Sequence, residues 1–118
     1  MGIVYSCLAS VIVALSFLTP TRLTAHAGAP TPPTPKQLYR KHCAECHGLD
    51  GRAKTTKAKF NHARDIADAQ WQEDVTDERI FNSITNGRSV RGNMPAFGDK
   101  LNDAQVNSLV TFVRGLRK

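Results

Sequence analysis

Cys43-Ala44-Glu45-Cys46-His47 is the stretch on which the reading of this chain turns. Two thiols three positions apart on one helical turn can reach the two vinyl groups of a single porphyrin and form two thioethers. The next residue, His47, then offers its imidazole to the iron from the same side. C-x-x-C-H is the spacing of a covalent haem attachment. Gly48 follows and lets the backbone leave a crowded edge. Two other uses of a cysteine pair compete with this one. A dithiol redox pair needs a strand before it and a βαβ context, and no segment here alternates with period two. A zinc site needs a second pair of ligands. His42 and His62 are available for that, but at no matching spacing.

An iron porphyrin has two axial positions, and His47 fills one. The pairing of His with Met raises the potential of an electron-transfer haem. Beyond residue 27 the chain has one methionine, Met94, within Gly92-Asn93-Met94-Pro95-Ala96-Phe97-Gly98. Glycines flank this loop and a proline follows the methionine, so the sulfur can be held in one place. The plainer reading is a methionine that fills a core gap. Such residues usually sit on helices or strands, whereas Met94 sits in a loop. The ligand reading is preferred; His62 is the next candidate for the second axial position and His42 the third.

Around these motifs the periodicity is helical. Thr34 suits an N-cap with Pro35 at the first helical position, for a helix from Pro35 to about Cys43 with Leu38 and Tyr39 inward. Leu49 to Asn61 reads as a loop, rich in glycine and lysine and without a period. Ile66 to Asp74 has room for a short helix around Trp71. Thr76 caps a clearer helix: Asp77 and Glu78 sit at the positive end of its dipole, Ile80, Phe81 and Ile84 form its stripe, and Asn86-Gly87 stops it. Arg88 to Lys100 reads as a loop. Asn102 and Gln105 form a capping-box variant for a last helix with Val106, Leu109, Val110 and Val113 at helical spacing, ended by Gly115. The fold class expected is all-α, with short helices and long loops.

The N-terminal region reads as a targeting segment. Ile3 to Leu18 is a run of 16 mostly apolar residues, and Ala25-His26-Ala27 gives the small-x-small pattern of a cleavage site. The run is short for a bilayer span, which takes about 20 residues, and no Lys or Arg precedes it. Residues 1–27 are expected to be a signal peptide; their retention would make an anchor. Cys7 lies inside the run, not after it as a lipoprotein cysteine would, and reads as a small apolar residue. Residues 28–34, with Pro30, Pro32 and Pro33, make a stiff extended tether, and residues 35–118 form one domain. Removing 27 of the 118 residues leaves 91, and losing Arg22 leaves 15 of the 16 lysines and arginines against 10 acidic residues. A domain this small buries too little surface to dispense with a staple. The only cysteines left, Cys43 and Cys46, would close a loop too short to serve as one. The composition asks for a bound group.

The chain resembles a class I cytochrome c, of the small bacterial kind with a single haem. Three blocks carry the resemblance: Leu38-Tyr39 with Cys43-Ala44-Glu45-Cys46-His47-Gly48, then Asn93-Met94-Pro95-Ala96-Phe97, then the helix Leu101 to Arg114. With Trp71 to Gly87 between them, nearly all of residues 35–118 is covered. The resemblance implies helices wrapped around one haem c, with first and last helices crossing. It also implies that Tyr39 meets Leu109 and Phe112 there. Two positions depart from the family. Pro35 stands where a glycine is common at the crossing, so the crossing is expected looser or shifted. No proline lies between Gly48 and Met94 to offer its carbonyl to the haem histidine. Because a metal-bound histidine takes such a partner, a carbonyl near Lys59 or Phe60 is expected instead. Trp71 has two readings, a hydrogen bond to a haem propionate or a cap on the core, and the core is preferred.

With Cys43, Cys46, His47 and Met94 all engaged, substrates have no open site. The expected function is electron transfer between redox proteins in the periplasm, without enzymatic turnover. The alternative is a haem enzyme or oxidoreductase subunit, peroxidase-like or associated with a dehydrogenase or oxidase, whose sixth ligand is labile; His62 is the one obvious distal acid–base group for it. Arg52, Lys54, Lys57, Lys59 and Arg64 follow the haem motif, and Arg88 and Arg91 flank the methionine loop. A positive rim from these residues would steer docking to acidic partner surfaces. Nucleic acid is not an expected partner, since the charge is modest and no aromatics are interleaved with it. Membrane association is expected only where residues 1–27 are retained.

Overall fold

The computed structural model describes residues 31–118. The targeting segment and residues 28–30 of the tether lie outside the described residues; Thr31 to Thr34 are exposed and in no regular element. The first helix, α1 (Pro35–His42), starts with a full capping box. The Thr34 hydroxyl accepts from the Gln37 N–H at 3.3 Å, and the Gln37 side chain accepts from the Thr34 N–H at 2.8 Å. These bonds satisfy donors that a helix start leaves unpaired. Cys43 ends α1, and a one-turn helix, α2 (Ala44–His47), follows directly. The remaining elements are α3 (Thr56–Asn61), α4 (Ala69–Asp74), α5 (Asp77–Asn86) and α6 (Asp103–Arg114). Among the described residues the only β pairing is an isolated antiparallel bridge between Arg88 and Met94, and no helix is long and apolar enough to cross a membrane.

The helix α3 occupies residues expected to be a loop. It buries only Ala58, so no apolar stripe marks it in the sequence. Polar bonds fix it instead. The Thr55 hydroxyl caps α3 by accepting from the Ala58 N–H at 3.0 Å, and directs its own proton at the carbonyls of Glu45 and Cys46, 2.9 and 3.0 Å away. Lys57 pairs with Glu45 at 2.7 Å. These bonds tie α3 to α2.

The core forms where α1 crosses α6. Leu38 and Tyr39 pack with Val106, Leu109, Val110 and Val113, and Leu109 is fully buried. The rings of Tyr39 and Phe112 lie 4.9 Å apart at 39°, a favourable offset pairing. Pro35 occupies the exposed first turn, and the tight packing begins at Leu38. Ile80 and Ile84 bring α5 onto the same core. Trp71 packs half-buried against it, in keeping with the core reading.

One buried polar residue escaped the sequence reading. The Gln72 amide, 5 % exposed, donates to the carbonyls of Ile66 and Val113. Arg114 closes this polar seam by donating to Gln72, Val75 and Asp77.

The junction of α1 and α6 is the fold's main apolar contact, so its largest residues govern stability. Leu109→Ala is expected to cost about 2–5 kcal/mol, the usual range for a buried leucine. Thermal melting of the cofactor-loaded protein, compared with the parent, measures it.

Candidate functional site

The site begins at the break between α1 and α2. The Cys43 N–H still donates to Tyr39 in α1, while the Cys43 carbonyl accepts from His47 at 2.9 Å. One turn of helix thus sets Cys43, Cys46 and His47 along the wall of a single cleft. The cleft holds about 550 Å³, within the usual span of cofactor sites, roughly 300–1,000 Å³. Met94, Pro95 and Phe97 also line it, as do Asn61, His62 and Ala63. All four residues expected at the site therefore face one space. His42 and His62, the other candidate ligands, reach the same space. Trp71 does not line it.

His47 is oriented by its second nitrogen. Nδ1 lies 2.9 Å from the Arg64 carbonyl oxygen and donates to it, which leaves the Nε2 lone pair free. The partner expected near Lys59 or Phe60 is Arg64. Those two residues belong to α3, whereas Arg64 lies in irregular chain beyond it. Burial lowers the His47 pKa, with the Arg64 carbonyl opposing the shift. A neutral imidazole with one nitrogen anchored is the form that ligates metals.

The two thiols are not joined to each other. Burial, and then the neighbouring Cys46, push the Cys43 thiol up to about 12, so it stays protonated. The Tyr39 hydroxyl donates to the Gly48 carbonyl at 2.8 Å, and burial raises its pKa too. A neutral phenol therefore locks the chain just after the motif.

The Met94 loop is held at two points. Arg88 and Met94 exchange backbone hydrogen bonds of 2.8 and 2.9 Å, which binds the loop to the end of α5. Gly87 makes this approach possible. A Cβ there would lie 2.6 Å from the Met94 carbonyl oxygen and 2.8 Å from the Ala96 nitrogen, both backbone atoms, at a φ of +71°. At the second point the Asn93 N–H donates to the Asn61 carbonyl at 2.9 Å, which binds the loop to the end of α3.

The charge expected around the cleft is redistributed. Lys57, Arg64, Arg88 and Arg91 line it, and so does Lys41, which the sequence did not single out. Arg52, Lys54 and Lys59 do not, and Glu45 pairs with Lys57 on the same wall. The periodicity of α1 places Lys41 one turn from Leu38, but nothing in the sequence shows that this turn reaches the cleft.

The donor set is short for a metal ion held by protein alone. Among the described residues no three His, Cys, Asp or Glu side chains group to hold one. An imidazole and a thioether beside two free thiols suit an iron whose remaining ligands come from a macrocycle. The family model for cytochrome c oxidase, cbb3-type, subunit III matches residues 30–113. The chain belongs to this family of c-type cytochromes. Its cofactor class is haem c, with iron, its chemistry is electron transfer, and its all-α architecture is the cytochrome c fold.

Relatives of this cytochrome agree. The cbb3-type cytochrome c oxidase subunit FixP of Rhizobium etli is 35% identical over 81 residues, which cover 69% of this chain and 26% of that protein. The cytochrome thus spans about a quarter of the length of that curated relative. Cytochrome c6 of Rippkaea orientalis is 31% identical over 96 residues, covering 81% of this chain and 76% of that one. Among solved structures, the KustC0563 c-type cytochrome superposes with a TM-score of 0.64 at 40% identity, over 73% of this chain and all of the other.

Proposed function

We propose that this cytochrome carries one electron at a time between redox proteins, through a single haem c. Cys43 and Cys46 provide the thioether links, and His47 and Met94 the axial ligands. The observation that carries this reading is that these four side chains line one cleft of cofactor size. The bound haem supplies an iron that alternates between ferric and ferrous states. The residues around it do the rest. The Arg64 carbonyl orients the His47 ring. The Arg88 bridge holds Met94 in place. Phe97 and Pro95 add apolar lining that limits water at the cleft.

The rim of Lys41, Arg64, Arg88 and Arg91 supports docking to acidic partner surfaces, with a rate that falls as salt rises. The pattern in residues 1–27 supports export to the periplasm with cleavage after Ala27, a proline-rich tether over 28–34, and the domain over 35–118. Retention of the leader would give an anchored form.

A second reading is favoured by the FixP and CcoP relatives, whose names make them subunits of cbb3-type oxidases. In that reading the domain passes electrons within a larger oxidase. Fractionation followed by native gel analysis separates the two: a free carrier runs alone in the soluble pool, and a subunit runs with the oxidase in membranes.

The test of the carrier reading is a potentiometric titration of the purified protein, followed by absorbance. A single one-electron wave, with the far-red sulfur-to-iron band present when oxidised, is the expected result. High-spin iron that binds peroxide without that band would overturn it.

A further inference from the structure

The sequence reading gave Asn61 no role, yet two of its groups meet different parts of the site. Its side-chain amide, at Nδ2, donates to Sγ of Cys46 at 3.7 Å, and its backbone carbonyl accepts from the Asn93 N–H at 2.9 Å. We infer that Asn61 is a positioning residue that couples the Cys46 sulfur to the Met94 loop, so that haem attachment and methionine ligation are held by one side chain and one carbonyl. The inference rests on the proposed roles of Cys46 and Met94.

Local structure makes both contacts available. Asn61 is the last residue of α3, where helical carbonyls lose their intrahelical donors. His62 follows in the left-handed conformation, φ 51°, and its N–H turns back to Ala58. The Ala63 N–H also goes to Ala58. The Asn61 carbonyl is thereby left for a partner outside the helix, and Asn93 takes it. Gly92 allows the approach: a Cβ there would come within 3.0 Å of the His62 carbonyl oxygen and 3.1 Å of that of Asn61. At the other end of α3, the Thr55 hydroxyl and Lys57 fasten the helix to Glu45 and Cys46. The amide of Asn61 therefore meets a sulfur whose own helix is already tied down.

An N–H donor at a sulfur bonded to the porphyrin edge draws electron density away and favours the reduced state. Its loss is expected to lower the potential and, by freeing the end of α3 that carries the Asn61 carbonyl, to weaken the far-red band. Filling the place with an apolar side chain that had no positioning role to replace would do the opposite to the potential, because a drier site favours the less charged ferrous form.

The test uses the haem-loaded full chain with Asn61→Leu, Asn61→Asp and Gly92→Ala. All three are checked for covalent haem and melting temperature before the band and the potential are measured. Asn61→Leu is expected to lower the potential and weaken the band, and Asn61→Asp to lower the potential further through its negative charge. Gly92→Ala, which acts on the loop side alone, is expected to weaken the band with both thioethers intact. Variants that melt lower but keep the parent band and potential overturn the inference, as does a raised potential in Asn61→Leu. If Asn61→Leu does not take up haem, Gly92→Ala decides by the same two readings. A parent protein lacking the band overturns the Met94 reading and this inference with it; a parent that has the band, with variants unchanged, overturns this inference alone.

Discussion

Replacing Cys43 and Cys46 together by alanine is expected to leave the chain colourless and largely unfolded. The core centres on one helix crossing, and beside it lies a cleft of about 550 Å³ whose wall includes Cys43, Cys46 and Phe97. Domains below roughly 70–80 residues seldom gain more than about 3–5 kcal/mol from their core, and residues 35–118 barely exceed that size. Covalent attachment makes the cofactor part of the core and keeps it there when the fold opens. Haem absorbance of the recovered protein should fall to background, and its far-ultraviolet circular dichroism should show most helix lost. Single replacements, which leave one thioether, should retain colour at lower yield. Full colour and helix in the double variant would mean that the thiols do not hold the cofactor.

Met94→Leu has the second largest expected effect, on the potential and not on the fold. Leucine matches methionine in volume, so packing changes by less than about 1.5 kcal/mol, but the thioether donor is gone. Methionine ligation raises the potential. Its loss should lower the midpoint on the order of 0.1–0.3 V, part of the roughly 0.8 V that axial ligands span. The far-red band should vanish, and the ferrous iron should bind carbon monoxide. Gly87→Ala should give a weaker form of the same result. Its Cβ would press on the backbone of Met94 and Ala96, which cannot move aside as a flexible side chain would. A Met94→Leu protein with the parent potential would shift the ligand role to His62 or His42, which line the same cleft.

Much of this was legible in the sequence where a residue acts through its own neighbourhood. The C-x-x-C-H spacing needs only one helical turn, and α2 supplies it. Thr76 and Asn102 cap as expected, because a cap is decided by residues three apart. The stripe of α6 finds α1 because both faces are apolar. What was not legible depends on partners far along the chain. The helix α3 lacks an apolar face and is fixed by a hydroxyl and a lysine reaching back to α2. The carbonyl that holds His47 comes from Arg64, and any residue has a carbonyl, so its choice leaves no trace in side-chain type. Gln72 and Arg114 are 42 residues apart, and nothing local to either shows that they join in one polar seam, with Gln72 buried and Arg114 part-exposed at its edge. The cleft's basic rim was half legible: Lys57, Arg64, Arg88 and Arg91 reach it, while Arg52, Lys54 and Lys59 look elsewhere.

The mass of the mature protein, taken after treatment with a thiol-alkylating reagent, tests the central claim most directly. The account predicts a chain that starts at Gly28, is heavier than its polypeptide by one haem, and carries no alkyl group on Cys43 or Cys46. A mass equal to the bare polypeptide with two alkyl groups added would contradict it.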